Sequence, residues 1–203
     1  IYETLNGGAS WQLADRQLTG PSGALAMTSG PDPVTFAAVV DRLYQRTQDR
    51  GWQLVRRWEG KTITYIETSP QHGQGLYVGT AKDGFFYSMD GGKMWQTIRE
   101  PLSGHPIQAI VVTATTTDQV VYIGTDVGLF KLTISPGGAA SLARIWSDRN
   151  VYALLHDPER PERLYAGTAR NGLYAISDGG RGWAPIKEGP GDSFVSDVTD
   201  AYG

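Results

Sequence analysis

An all-β fold of repeated four-stranded sheets is what this 203-residue sequence predicts, on three observations. The phrase Ser88-Met89-Asp90-Gly91-Gly92-Lys93-Met94-Trp95 recurs as Thr4-Leu5-Asn6-Gly7-Gly8-Ala9-Ser10-Trp11, and, with the leading hydroxyl lost, as Ile176-Ser177-Asp178-Gly179-Gly180-Arg181-Gly182-Trp183. A second phrase, apolar-Tyr-apolar-Gly-Thr, is written at Leu76 to Thr80, Val121 to Thr125 and Leu164 to Thr168; its tyrosines are 45 and 43 residues apart, and Thr80 to Trp95 and Thr168 to Trp183 are both 15. The third observation is texture. Short alternating runs rich in β-branched and aromatic residues are separated by Gly/Asp turns throughout, and the three-and-four apolar spacing of helical repeats is absent. A self-similar unit of this length must bury its apolar face on its neighbours. Four strands in a little over forty residues is the size of a β-propeller blade.

The units follow in order. Residues 1–20 start at a third strand, since Ile1-Tyr2 aligns with Phe85-Phe86, and end in the Asn6/Trp11 copy of the first phrase. Residues 24–57 form a degenerate blade: Val34-Thr35-Phe36-Ala37-Ala38 aligns with Leu76 to Thr80, leads into Leu43-Tyr44 and Trp52, and has a turn at 45–51 without Asp-Gly-Gly. Residues 62–98 run as an alternating strand (Thr62 to Thr68), a break, the Tyr-x-Gly-Thr strand, a turn at Lys82-Asp83-Gly84, a third strand and the Asp-Gly-Gly turn. Residues 107–146 and 150–187 repeat the scheme, and 194–203 resembles the innermost strand of a further blade. Both ends thus fall inside blades. The expectation is a five-bladed ring closed by its two ends or an arc of a larger ring, and the sequence reads as an excerpt.

The chemistry of the first phrase explains its recurrence. A short polar side chain at Asn6, Asp90 and Asp178 accepts backbone N–H groups inside a tight hairpin, and the glycines supply the left-handed positions. Trp11, Trp95 and Trp183 are expected to close each hairpin onto its sheet, largely buried at equivalent sites. A calcium loop at Asp90-Gly91-Gly92 is not expected, because the alternating series of oxygen ligands is missing. The phrase resembles the Asp-box, or BNR, repeat, with Tyr-x-Gly-Thr as its companion strand. Propellers with such boxes include bacterial sialidases, xyloglucan-cleaving glucanases, sortilin-type sorting receptors and the assembly factor of photosystem II. That resemblance implies the fold, and implies a structural role for the box carboxylates; it spans enzymes and binding proteins alike.

Composition bounds the function. A formal charge of -3, with no basic stripe among aromatics, points away from nucleic acid. No apolar run is long enough to span a membrane as a helix. Cysteine is absent, removing disulfides, thiolate nucleophiles and cysteine metal sites, while leaving export open. An extracellular or periplasmic setting is expected. His72, His105 and His156 have no second ligand at metal spacing, so neither a metal nor a cofactor is expected.

Recognition is expected on the face opposite the Asp-Gly-Gly turns, built by links at 56–61, 99–106, 147–150 and 187–193 and by turns at 39–42, 81–84, 126–128 and 169–172. Its candidate binding residues are Trp58, Lys82, Asp83, Arg149, Arg170 and Asn171, with Trp58 either an exposed platform or a side chain packed between blades. A sialidase-like site needs three arginines on a carboxylate, and the four innermost strands contain none. A glucanase-like site needs two carboxylates across one cleft, for which Glu67, Asp126 and Asp157 are the candidates, each expected rather at a turn or facing solvent. The reading is a noncatalytic platform for a protein or another macromolecule, with a protein or carbohydrate partner. Its alternatives are a glycoside hydrolase fragment and a structural subunit of an exported assembly.

Overall fold

In a computed structural model, residues 1–16, 18, 20–27, 33–47, 50–69, 74–114, 117–147, 149–157, 160, 163–177, 182–186, 195 and 197–198 are described. Their backbone forms strands and turns, and none of it is helical. A two-stranded hairpin, β1 (Tyr2–Glu3) and β2 (Gln12–Leu13), comes first. Four antiparallel sheets of four strands follow. The first blade is β3 (Ser22–Met27), β4 (Thr35–Val39), β5 (Arg42–Thr47) and β6 (Arg50–Arg57); the second is β7 (Ile63–Thr68), β8 (Leu76–Thr80), β9 (Asp83–Ser88) and β10 (Gln96–Ser103). The third is β11 (Ile107–Ala114), β12 (Gln119–Thr125), β13 (Gly128–Ile134) and β14 (Ala140–Ser147); the fourth is β15 (Val151–His156), β16 (Arg163–Thr168), β17 (Leu173–Ser177) and β18 (Trp183–Pro185).

Within each blade every strand pairs with its chain neighbour, so the blade meanders from first strand to fourth. The first strands β3, β7, β11 and β15 lie side by side, which makes them the inner wall of a propeller. The core lies between blades. Phe36, Ala38 and Leu43 of the first blade pack on Ile66, Leu76, Val78 and Phe86 of the second. Tyr77, Phe85 and Tyr87 of the second pack on Ile110, Val121, Ile123 and Phe130 of the third. Ala109 and Leu129 of the third pack on Leu154, Leu164 and Ile176 of the fourth.

This packing decodes the Tyr-x-Gly-Thr phrase. A Cβ on Gly79 would lie 2.5 Å from Ile107 Cγ2, one on Gly124 2.9 Å from the Val151 carbonyl oxygen, and one on Gly167 2.6 Å from Val195 Cγ1. The glycine is where the following inner strand presses on the second strand. The threonine serves the next turn: Thr80, Thr125 and Thr168 each donate their hydroxyl to the glycine carbonyl of Gly84, Gly128 or Gly172, at 2.7, 2.9 and 2.8 Å. Each also accepts a backbone N–H from inside that turn, of Asp83, Val127 or Asn171. Val195 donates its N–H to the Thr168 carbonyl at 3.0 Å and occupies, against Gly167, the place of Ile107 and Val151. Most of the inner strand expected over 194–203 lies outside the described residues.

Four expectations are corrected. In the first blade the register is shifted by one residue. The bulge that pairs Ile63 and Tyr65 with Thr80 and Gly79 recurs as Ser22 and Ala24 with Val39 and Ala38, so Ala38, not Ala37, answers to Gly79 and Phe36 to Tyr77. Alanine has replaced the glycine there, and the tyrosine is a phenylalanine, so the phrase offered no anchor for alignment. The turn of that blade is also tighter than 45–51, since β5 runs to Thr47 and β6 begins at Arg50. The outer strand of the second blade continues past 98 to Ser103.

The fourth correction concerns the tryptophans. Trp11 is 63% exposed, because among the described residues its hairpin has only two strands and no inner pair beneath it. Trp95 and Trp183 are half-buried. Trp95 stands edge-on to Trp58 with ring centroids 4.8 Å apart, and Trp183 stacks on Trp146 at 4.2 Å. Asp178 and Arg181 lie outside the described residues.

Candidate functional site

Antiparallel order puts the links between blades and the turns after each second strand on one face, and the Asp-Gly-Gly turns on the other. On the latter, Asp90 acts within its own hairpin. Its Oδ1 accepts the N–H groups of Lys93 and Met94 at 3.0 and 2.9 Å and the Ser88 hydroxyl at 2.8 Å. Those donors, the Met94 N–H first, hold its carboxyl below the usual range. Asn6 copies the arrangement, accepting from Thr4 and from the Ser10 N–H at 2.9 Å each. Each of these Oδ1 atoms has a structural use.

The link face is held by a series of acid–base pairs that the sequence did not reveal. In the first blade Asp41, after the second strand, meets Arg57 at 2.9 Å. In the second, Asp83 meets Lys61 at 3.5 Å, and in the third Asp126 meets His105 at 2.9 Å. Each pair ties the turn of a blade to the link or strand end beside it. The hydrogen bond from Arg57 depresses the Asp41 carboxyl, and Asp41 in turn raises the guanidinium of Arg57. The partners lie 16 to 22 residues apart in sequence. Only repeat spacing could have suggested them, since Lys61 and His105 both stand two residues ahead of their inner strands.

A recess of about 450 Å³ opens on this face between the third and fourth blades. Its lining comes from the two turns, through Asp126, Val127, Ala169, Arg170 and Asn171, and from Arg144 and Asn150. Arg144 is fixed by donating to the Val127 carbonyl oxygen and lies over the Phe130 ring. The Asn150 Oδ1 atom is buried without a hydrogen-bond partner among the described residues. Arg170 and Asn171 are exposed.

Of the six candidate residues, the recess unites Arg170 and Asn171. Lys82 is exposed on the turn of the second blade, Asp83 is engaged by Lys61, and Arg149 is half-buried in the link before β15. Trp58 is 4% exposed, packed against Phe86 and Trp95. Its position between blades excludes the exposed platform. The missed residues are Asn150, Arg144 and the His105–Asp126 pair.

A second recess, of about 290 Å³, lies at the far end of the inner strands, lined by Met27, Glu67, Thr68, Val111, Val112, Leu155 and His156. Glu67 is therefore on the inner wall rather than at a turn. Burial pushes its carboxyl up, partly opposed by the Thr68 N–H at 2.8 Å. Glu67 and Asp126 sit in different recesses at opposite ends of the blades, so they do not face each other across one cleft. Asp157 accepts the Arg160 N–H in the turn after β15. Among the described residues no group of three potential metal ligands occurs, and no helix is long and apolar enough to cross a membrane.

Neither a protein-family model nor a curated protein matches the chain. Solved structures do. An ancestral GH74 enzyme is similar over 95% of the chain and 29% of its own, at 22% identity and a TM-score of 0.73. The extracellular domain of a hybrid two-component system of B. thetaiotaomicron is similar over 93% and 26%, at 18% and 0.71. YCF48 from Cyanidioschyzon merolae is similar over 87% and 60%, at 14% and 0.61. These likenesses establish the β-propeller fold, and the chain spans roughly a quarter of the length of the first two.

Proposed function

We propose that this propeller is a noncatalytic platform that binds a protein or another macromolecule through its link face. The observation that carries the reading is the recess between the third and fourth blades, where Arg170 and Asn171 stand exposed on a turn held by the Thr168 hydroxyl. Loops that a scaffold holds rigidly without needing their side chains are where recognition resides. The repeated hairpins, read as Asp-boxes, supply the rigidity: the Asp90 carboxylate accepts the backbone N–H groups of Lys93 and Met94. The reading includes an extracellular setting, supported by the likeness to an extracellular domain.

A glycoside hydrolase reading draws support from the GH74 likeness. It requires two carboxylates about one bond, and the separate recesses of Glu67 and Asp126 weigh against it. The test is a pair of measurements on the purified chain. Xyloglucan and sialyl oligosaccharides should yield no product, and capture of a partner from a surface-protein extract should fall at least tenfold in Arg170→Glu while Lys93→Glu on the opposite face captures normally. Product release abolished by Glu67→Gln or Asp126→Asn would replace the platform with an enzyme.

A further inference from the structure

One carboxylate of the inner wall is met by no cation. Glu67 lines the recess of about 290 Å³ at the far end of the inner strands, half-buried, and its Oε1 accepts the Thr68 N–H at 2.8 Å. Among the described residues it forms no ion pair. None of the inner strands β3, β7, β11 and β15 contains a lysine or an arginine. The surroundings add to the negative charge: burial first, and then the charges of Glu67 and Asp197, push the Tyr65 hydroxyl up. The rest of the lining is mostly hydrocarbon, from Met27 of β3, Val111 and Val112 of β11 and Leu155 of β15. His156 completes it and does not pair with Glu67. The wall is tied on both sides of β7, since the Thr68 hydroxyl donates to the Met27 carbonyl oxygen at 3.3 Å and the Thr64 hydroxyl to that of Ile107 at 2.7 Å.

A carboxylate set among hydrocarbon walls is costly to ionise until a cation meets it. We infer that this recess binds a primary alkylammonium group, of the kind a lysine side chain carries, with the ammonium on Glu67 and the alkyl stem along Met27, Val111 and Leu155. The site is separate from the link-face recess and does not depend on it. An ammonium fits it better than a guanidinium, whose paired hydrogen bonds need both oxygens of a carboxylate. One oxygen of Glu67 is already taken by Thr68. The hydrocarbon walls match the apolar stem of such a cation. Ligand sites run from about 300 to 1,000 Å³, so a recess at the small end of that range suits one side chain and not an oligosaccharide.

The probes are n-butylammonium and the blocked peptide acetyl-Gly-Lys-Gly-amide, beside n-butanol, butyrate and the same peptide with norleucine for lysine. They are titrated into the whole chain in phosphate buffer at about pH 8, where an alkylammonium keeps its charge. Binding is read from the methyl resonances of Met27, Val111 and Leu155. Both cations should shift these methyls saturably, and the neutral and anionic probes should not. Tighter binding of the peptide marks a protein as the source of the ammonium, and tighter binding of the amine a free metabolite; either upholds the site. Glu67→Gln should weaken both cations by about tenfold or more. Met27→Lys, at a position 63% exposed, puts a competing ammonium on the wall and should weaken them as much. Cations held by Glu67→Gln as tightly as by the parent overturn the inference, as does n-butanol binding as well as n-butylammonium. Silence of all three methyls toward both cations also sinks it, and leaves the platform standing if partner capture still fails in Arg170→Glu.

Discussion

Replacing Gly79 with alanine tests the account of how one blade seats on the next. The new Cβ would sit 2.5 Å from Ile107 Cγ2 and 2.8 Å from Ile107 Cβ. Ile107 is fully buried at the head of β11, with Leu102, Ile110 and Ile123 in the same core, so it has no free space into which to retreat. Overpacking of this kind costs about 1–3 kcal/mol. Alanine also restricts the unfolded chain, which returns about 0.4–1 kcal/mol, leaving a net loss centred near about 1.3 kcal/mol. For a chain of this size that lowers the melting temperature by about 3–5 °C. The control is Gly51→Ala in β6, where a Cβ meets nothing within 4 Å and the backbone is not left-handed. It should melt with or above the parent. Thermal unfolding followed by circular dichroism at neutral pH decides the matter. Should Gly79→Ala melt with the parent while Gly51→Ala behaves as expected, the contact between Gly79 and Ile107 is not the seat of the blade.

Three further outcomes are expected. Trp95→Ala removes an edge-on partner of Trp58 and a 2.8 Å bond from its indole N–H to the Gly92 carbonyl, and should cost about 2–4 kcal/mol by denaturant titration, whereas Trp11→Ala, mostly in water, should cost under about 1 kcal/mol. Because burial raises the Glu67 carboxyl in the folded chain, its ionisation opposes folding as pH climbs from the ordinary glutamate value through the folded one. Glu67→Gln should therefore be more stable than the parent at about pH 8, with the difference closing below about pH 4; a constant difference across that range would refute burial as the cause. Asp41 and Asp90 are depressed instead, so the stability they confer is complete above the ordinary aspartate value of about 4 and is lost as pH falls through their folded values. Acid unfolding of Asp90→Asn should show a shallower loss over that interval than the parent.

Periodicity in the sequence carried the architecture, because the residues that define a blade are local to it. Asp90 and its donors span a few positions, and Thr80 caps a turn four residues ahead, so each phrase is legible wherever it is intact. The same dependence explains the one-residue slip in the first blade. With Phe36 and Ala38 in place of tyrosine and glycine, the local phrase is gone and the register is set by strand pairing alone. What lay beyond the sequence was whatever depends on one blade meeting another. For Trp58 the sequence left an exposed platform and packing between blades both open, and contact with Phe86 and Trp95 makes it core. Trp11 carries the same phrase as Trp95 and is left in water, since its burial depends on inner strands that its hairpin lacks among the described residues. Arg170 and Asn171 could be named from the loop pattern. Their gathering with Asp126, Arg144 and Asn150 into one recess was decided by the angle between two adjacent sheets, which is set by core side chains such as Val151 against Gly124 and not by any residue of the loops themselves.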